Sequence, residues 1–544
     1  MDTMQLARPT AAQRAWHEME LEMFVHFGPS TWQDQDGDDL STPLSALNPA
    51  QLDTEQWCDV AESFGARQII LVAKHIGGFC QWQTETSAYG VKETPWRGGK
   101  GDLVGELSES CSRRGLRLGI YLSPMDRFHK AGLGGRCSTA EGQERYIKVY
   151  RQQLTELLSR YGPIAEVWFD GSLIFDVSDV VNRYAPEAIQ FQGPHASIRW
   201  PGNEDGVVRY PAWNTLSSRD ARTGIATNAH GDPDGEAWLP LESDTTIRGR
   251  GWGKRPDPQA ICWFWNTYNL AGLKSLEWLV ESYYRSVGHG SVLLLNANPD
   301  TTGRIPEPDA KRVAEFGAAI RARFGASVAE TCGRGENVEL ALPAGQRVDH
   351  VILQEDISFG HRVRKYVLEG QGETGPWTPL TEGTAIGNKK IDFFAGQELR
   401  RIRFRAIESV GPALLRRMAA FHVGNVPKFD RHVGHEHDVY RAGDYGANVT
   451  AEGTTVDLDV STSCGAARQY ELEVRPEAGS AAISVERVEF AHDGLTSAEF
   501  IAPGGKPLTY ILTVTALGGE KHVRLGLKRC GEGAAKGLFF VRGM

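Results

Sequence analysis

Across residues 1–325, short apolar runs of strand length alternate with segments of helical spacing, and this alternation constrains the fold more than any other feature. The runs are Met23–Phe27, Gln68–Ala73, Leu118–Leu122, Ile164–Phe169, Ala188–Phe191 and Val292–Leu295. Between them, Trp57, Val60, Ala61 and Phe64 fall on one helix face, with Asp53 and Gln56 as a capping box and Gly65 as the stop. Leu103, Val104, Leu107 and Cys111 mark a second helix, Ile147, Tyr150, Leu154, Leu157 and Leu158 a third, and Val313, Phe316, Ile320 and Phe324 a last one. Strands joined by whole helices pair in parallel, and right-handed crossovers close such a series into a barrel or wind it into an open sheet. The length suits a barrel, whose carboxyl-terminal face would gather the polar residues at the strand ends: His26, His75, Asp126, Asp170 and Asn296. A nucleotide-binding open sheet would want a phosphate loop, and neither Gly77-Gly78 nor Gly98–Gly101 meets that pattern. The expectation is an α/β fold, an irregular (β/α)8 TIM-like barrel.

Beyond residue 325 the period changes. Ile402, Phe404 and Ala406 alternate with Arg401, Arg403 and Arg405, as on a half-exposed strand. A β-sandwich is expected over 326–425, and a second over 426–544, where Tyr510, Leu512 and Val514, then Val523, Leu525 and Leu527, alternate again. His432, His435 and His437, in the segment joining the two, lack the companion ligands of a metal site and read as a solvated loop.

A net charge of -10 with no Lys/Arg run argues against nucleic acid or an anionic membrane as partner. The eight cysteines are scattered without a C-x-x-C pair, which fits neither a zinc site nor a disulfide scaffold. Residues 1–23 show no signal-peptide apolar region. The expected compartment is the cytoplasm if the chain is full length, and the periplasm or exterior if an export signal has been removed.

The chemistry centres on Tyr161–Gly171. Gly162-Pro163 ends a helix, Ile164–Phe169 reads as a buried strand, and Asp170 stands at its carboxyl end, with Gly171 freeing the backbone behind it. A carboxylate there either caps the next segment or does chemistry. Cleaving a glycosidic bond with retention needs two carboxylates about 5–5.5 Å apart, one attacking and one giving and taking a proton. Glu204, among Trp200, Pro201 and Gly206 on a loop, is a candidate for the second. Glu242 in Pro240–Asp244 is an alternative acid/base, or one half of a structural salt bridge.

Phe24–Gly28 (FVHFG), Ala73–Trp82 (AKHIGGFCQW), Thr94–Leu103 (TPWRGGKGDL), Gly119–Pro124 (GIYLSP), Glu166–Gly171 (EVWFDG), Arg199–Gly206 (RWPGNEDG) and Ser291–Asn296 (SVLLLN) together resemble the α-L-fucosidases of glycoside hydrolase family 29. The RW-x-GNE stretch is similar to the subgroup that prefers α-1,3/1,4-linked fucose. The resemblance implies a retaining hydrolase without a cofactor, acting on fucosylated oligosaccharides. It implies Asp170 as nucleophile, Glu204 as acid/base, and His26, His75 and Trp82 as fucose-binding residues. Trp32, Arg248 and Trp252 are further candidates for contact with the sugar, while Trp263 and Trp265 read as core or rim. Many members read KHHDGF where this chain has Lys74-His75-Ile76-Gly77-Gly78-Phe79, so the second His and the Asp are absent. Two other readings stay open: a glycan-binding protein on an inactive barrel, and a metal-dependent barrel hydrolase.

Overall fold

A computed structural model describes residues 6–216, 218, 231–249, 262–267, 270, 272–429, 439–445, 449–459, 469–476, 480–492, 495–497, 508–513, 521–532 and 534–543. These residues fall into two compact units, Met1–Arg431 and His432–Met544. The first opens on a seven-stranded parallel sheet. Its strands are β1 (Leu21–Val25), β2 (Gln68–Lys74), β3 (Arg117–Leu122), β4 (Ile164–Trp168), β5 (Ile189–Phe191), β6 (Glu242–Thr246) and β7 (Val292–Asn296). Their spatial order is β5-β4-β3-β2-β1-β7-β6, with every neighbouring pair parallel. β2 is buried along its whole length, as a strand covered on both faces must be.

The helices lie where the periodicity places them. α1 (Ala11–His17) is capped by Thr10 with Gln13 reciprocating, and α2 (Thr54–Phe64) by Asp53, with Gly65 ending it at positive φ. α3 (Leu103–Arg114), α4 (Ala140–Arg160), α5 (Ser178–Tyr184), α6 (Leu276–Arg285) and α7 (Glu307–Phe324) complete the set used below. One face of β1, β2, β3 and β7 packs outward on these helices: Met23, Val25, Ile69, Leu71, Ile120 and Leu293 join Trp57, Phe64, Leu107 and Phe316 in one core. The other face fills the barrel interior with Phe24, Ile70, Val72, Tyr121, Trp168 and Leu294, and Trp16 of α1 belongs to this second core.

The eighth strand is not there among the described residues. The edge strands β5 and β6 are joined instead by two residues: Ile198 bridges Phe191, and Arg199 bridges Leu241, both in parallel. Arg199 N–H donates to Pro240 O (2.8 Å), and Glu242 N–H donates to Arg199 O (2.9 Å). The seam is thus closed by the stretch that leads directly into the Glu204 loop.

Two antiparallel four-stranded sheets follow in the same unit, over Ala329–Phe421. Arg401–Ser409 buries Ile402, Phe404 and Ala406 between them, as its alternation requires. The barrel meets this sandwich through Tyr284 of α6, whose hydroxyl lies 2.9 Å from His350 Nε2, with Phe324, Phe393 and Phe421 packed around them. The second unit holds two further antiparallel four-stranded sheets around Leu472, Val523, Leu525, Leu527 and Phe539. His432, His435, His437 and Val514 lie outside the described residues. Among the described residues no helix is long and apolar enough to cross a membrane.

Candidate active site

At the carboxyl ends of the barrel strands lies a pocket of about 120 Å³. It is lined by Phe24, His26, His75, Tyr121, Trp168, Asp170, Phe191, Gln192, Trp200, Glu204, Asp244 and Trp263. Asp170 follows β4 by two residues. Gly171 turns the chain at φ 77°, which a side chain resists. The Gly171 N–H is held by Gln192 Oε1 (2.7 Å), from just beyond β5. The Tyr121 hydroxyl, from β3, donates to Asp170 Oδ2 (3.0 Å). Burial and the Asp170 charge push the Tyr121 phenol well above its ordinary range, so it stays a donor. The enclosing walls raise the proton affinity of Asp170, against the Tyr121 hydroxyl and the Gly171 backbone. Because the Asp170 side chain is open to the cavity, water offsets part of that rise.

His26 ends β1, and its backbone N–H donates to Asn298 Oδ1 (2.8 Å). Its ring Nδ1 lies 2.9 Å from Asn296 Oδ1. Asn296 Nδ2 donates to Trp263 O (3.0 Å), which fixes Oδ1 as the acceptor. His26 Nδ1 therefore carries the hydrogen and Nε2 a lone pair. Burial, then the neighbouring His75, hold the ring well below the usual histidine range. His75, at the end of β2, stacks on Tyr121 at 5.6 Å and 24°. Burial lowers it to about 3, with help from Arg127. Both rings are neutral near pH 7. Since His75 Nδ1 is sealed and has no partner among the described residues, Nε2 is the ring nitrogen left to meet a ligand.

Asp244 of β6 is a third pocket carboxylate that sequence reasoning missed. Trp200 Nε1–H donates to its Oδ1 (2.9 Å). Burial first, then the charge of Glu204, pushes it well above the ordinary aspartate range. Phe191 and Trp168 stack at 3.5 Å and 6°, giving the pocket a flat apolar wall. Tyr121, Trp168 and Trp200 all lay inside the quoted motifs. Trp263, read as core or rim, stands in the pocket wall 5.1 Å from His26.

Four other candidates sit elsewhere. Glu242 is two residues before Asp244 on β6, so it faces the same interior one layer lower. There it meets Glu22 and Glu166, with carboxylate oxygens within 4.8 Å of one another, all three fully buried. Burial and mutual repulsion push Glu22 and Glu242 well above the ordinary range. Burial raises Glu166 to about 7, against donation from Gln68, Trp168 and Trp16. Glu242, read from the sequence as an alternative acid/base, is therefore placed away from the pocket lining: it is fully buried in this lower layer, whose Glu166 accepts from the Trp168 indole. Arg248 is also withdrawn from the sugar. It grips Asp309 of α7 through Nε (2.8 Å) and its NH2 group, and donates from NH1 to Leu270 O (2.8 Å). Trp82 is fully buried among the helices, its Nε1–H on Glu156 Oε2 of α4 (2.8 Å). The chain has turned away from the pocket at Cys80, which bridges Gly90. Trp32 packs on Phe27 at 5.5 Å and lines a separate small apolar hollow with Leu47 and Trp96. Trp252 lies outside the described residues.

The His-Ile-Gly departure has a structural counterpart. A Cβ at Gly77 would stand 2.0 Å from Asp38 Oδ2, so a carboxylate from the acidic 34–39 loop fills that volume. Asp38 is held there by the Tyr89 hydroxyl, Gln33 Nε2 and Leu40 N–H, each at 2.9 Å. Behind it, Lys74 and Asp126 form a fully buried ion pair (2.9 Å), and the lysine also donates to Gln153 Oε1 (2.9 Å) and the Tyr146 hydroxyl (3.3 Å). A buried pair with this many hydrogen bonds specifies the loop geometry more than it adds stability.

A family model for α-L-fucosidases matches residues 10–323. Alpha-L-fucosidase 1 of Arabidopsis thaliana is 31% identical over 434 residues, which is 71% of this chain and 81% of the plant protein. A solved structure from Bacteroides thetaiotaomicron superposes with a TM-score of 0.71 at 30% identity, covering 77% of this chain and 99% of its own. A glycoside hydrolase 29 family member from an unknown rumen bacterium gives 0.68 at 25% identity, over 99% of both chains. On this evidence the chain belongs to the α-L-fucosidases, glycoside hydrolase family 29.

Proposed function

We propose that the protein is a retaining α-L-fucosidase in which Asp170 is the nucleophile and Glu204 the acid/base. The observation that carries the reading is that these two carboxylates line one pocket together with His26 and His75. In the first step Asp170 attacks the anomeric carbon as the glycosidic bond breaks, and Glu204 gives its proton to the leaving oxygen. A β-linked fucosyl-enzyme results. In the second step Glu204 takes a proton from water, whose oxygen displaces Asp170 and releases fucose with its α configuration.

The remaining groups suit this chemistry. Donation from Tyr121 restrains the Asp170 carboxylate and steadies its charge without neutralising it. His26 Nε2 offers a lone pair to a sugar hydroxyl, and the Trp168–Phe191 wall suits the apolar face and methyl group of a 6-deoxy sugar. No step requires a cofactor. The preferred linkage is α-1,3/1,4, with α-1,2 as the alternative. The RW-x-GNE stretch supports the former, and Asp38 beside His75 changes the polar lining on that side.

Azide chemistry tests the pair. A Glu204→Ala variant should be rescued by azide and form α-fucosyl azide, because azide attacks the fucosyl-enzyme. An Asp170→Gly variant should give β-fucosyl azide by direct displacement. Failure of both, or rescue at Glu242→Ala instead, would refute the assignment. Fucose release from Lewis-type, 2′-fucosylated and xyloglucan-derived oligosaccharides measures the linkage preference.

A further inference from the structure

The acidic loop after β1 carries an aspartate at every second position, Asp34, Asp36 and Asp38, and each holds a different partner. Asp34 accepts from the N–H and the hydroxyl of Thr267 (both 2.8 Å). Asp36 Oδ1 accepts from the Phe264 N–H (3.0 Å) and lies 3.8 Å from Cys262 Sγ. Asp38 fills the space beside Gly77, and the Arg127 guanidinium donates to its backbone oxygen. The loop is thus fastened at Asp38 and reaches, through Asp34 and Asp36, the segment that carries Trp263.

Residues 262–266 belong to no helix or strand, so their backbone groups depend on other partners. One peptide unit within them is held from both sides. Its C=O, that of Trp263, accepts from Asn296 Nδ2 (3.0 Å) at the end of β7 and from Asn298 Nδ2 just beyond it. Its N–H, that of Phe264, is the one taken by Asp36. The two groups of a trans peptide point in opposite directions, so the anchors do not duplicate each other. The side chains flanking this unit close on both pocket histidines. The Trp263 ring lies 5.1 Å from His26, and the buried Phe264 ring lies 5.3 Å from His26 and 5.1 Å from His75. Asn296 also meets His26 Nδ1 (2.9 Å), so the histidine and the aromatic pair share one anchor from β7, and Asp36 supplies the other from the β1 loop.

We propose that Asp36 is a positioning residue for sugar binding: by holding the Trp263–Phe264 peptide from the side opposite Asn296, it fixes the aromatic pair against His26 and His75 and sets the affinity for fucose. The proposal rests on the reading of this pocket as a fucose site. Asp36 does not line the pocket, so its effect runs through the peptide it holds. Asp36→Ala removes the acceptor of a backbone N–H. L-Fucose should then inhibit about tenfold more weakly, and KM for an aryl fucoside should rise to match, with kcat within about twofold of wild type. Asp36→Asn keeps an Oδ1 acceptor and should stay within about threefold of the wild-type inhibition constant. Asp34→Ala, which releases Thr267 and leaves the Trp263–Phe264 peptide held, should stay within about threefold as well.

An unchanged inhibition constant in Asp36→Ala overturns the proposal, even where the unfolding midpoint falls, since a contribution to folding alone would do that. So does an equal rise in Asp34→Ala, or an Asp36→Asn variant as weak as the alanine one. Should Asp36→Ala fail to fold, Asp36→Ser, whose hydroxyl stops a bond short of Phe264, takes its place with the same expectations. The wild type separates the two levels. If it binds and releases fucose and the alanine variant matches it, only the role of Asp36 falls. If the wild type neither binds L-fucose nor releases it from the oligosaccharides named above, the fucose-site reading falls as well.

Discussion

Two sets of carboxylates occupy the barrel, one above the other. The lower set, Glu22, Glu166 and Glu242, is fully buried and receives donors from Gln68, Trp16 and Trp168 among the described residues. The upper set, Asp170, Glu204 and Asp244, faces a cavity. β6 supplies one member to each, two residues apart, and Trp168 joins them, lining the pocket while donating its indole N–H to Glu166 Oε1 (3.0 Å). Proton affinity is raised in both layers, at Asp170 and Asp244 above and at all three glutamates below. A perturbed carboxyl is therefore not by itself a mark of catalysis. What separates the layers is room for a substrate, a path for water, and a donor such as Tyr121 placed to steady a charge.

The sharpest way to break this contrast is to neutralise one member of each layer. Asp170→Asn should lower kcat on the order of 10⁴-fold while leaving thermal stability nearly unchanged, since the covalent route is lost and the fold is not. Glu242→Ala should do the reverse. Truncating a fully buried side chain leaves a cavity, with an expected cost of about 2–4 kcal/mol in denaturant unfolding and kcat within a few-fold of wild type. A comparable loss of kcat in both variants would erase the distinction.

A smaller effect sharpens it. Glu166 ionises near pH 4.5 when unfolded and at about 7 when folded. The folded state thus binds the extra proton, and its stability is full below pH 4.5 and falls as pH rises towards 7. Glu166→Gln should flatten this fall, by up to about 1.4 kcal/mol per pH unit for one proton, when unfolding midpoints are followed from pH 4.5 to 7. An unchanged slope would mean that the lower layer does not hold its proton there.

How much of this was legible in the sequence depends on the range of the interactions involved. Asp170 could be read because its signal is local: a helix stop, a buried strand, then an acid beside glycine. His26 and His75 were likewise strand-end residues, and the motif series carried Glu204. The parallel sheet followed from helices between strands. The closure without an eighth strand among the described residues did not, because two bridging residues, Ile198 and Arg199, are too few to leave a periodic trace. Strand alternation puts Glu242 and Asp244 on one face, but which of them reaches the pocket depends on the stagger of β6 against β7, a property of the closed barrel. Trp82 and Trp32 were candidates by residue type and motif; Glu156, 74 residues away, holds the Trp82 indole, and Trp32 packs on its near neighbour Phe27. Arg248 was claimed by Asp309, 61 residues away. The filling of the Gly77 space by Asp38 joins two loops with no shared pattern.

The central claim is that Asp170, and no other acid of the barrel, bonds to the sugar. Incubation with 2-deoxy-2-fluoro-L-fucosyl fluoride slows breakdown of the intermediate, and peptide mass mapping then reads the attachment site. The account predicts a single covalent fucosyl label on the peptide containing Asp170. A label on Glu204, Asp244 or Glu242, or full turnover of natural substrate by Asp170→Asn, would contradict it.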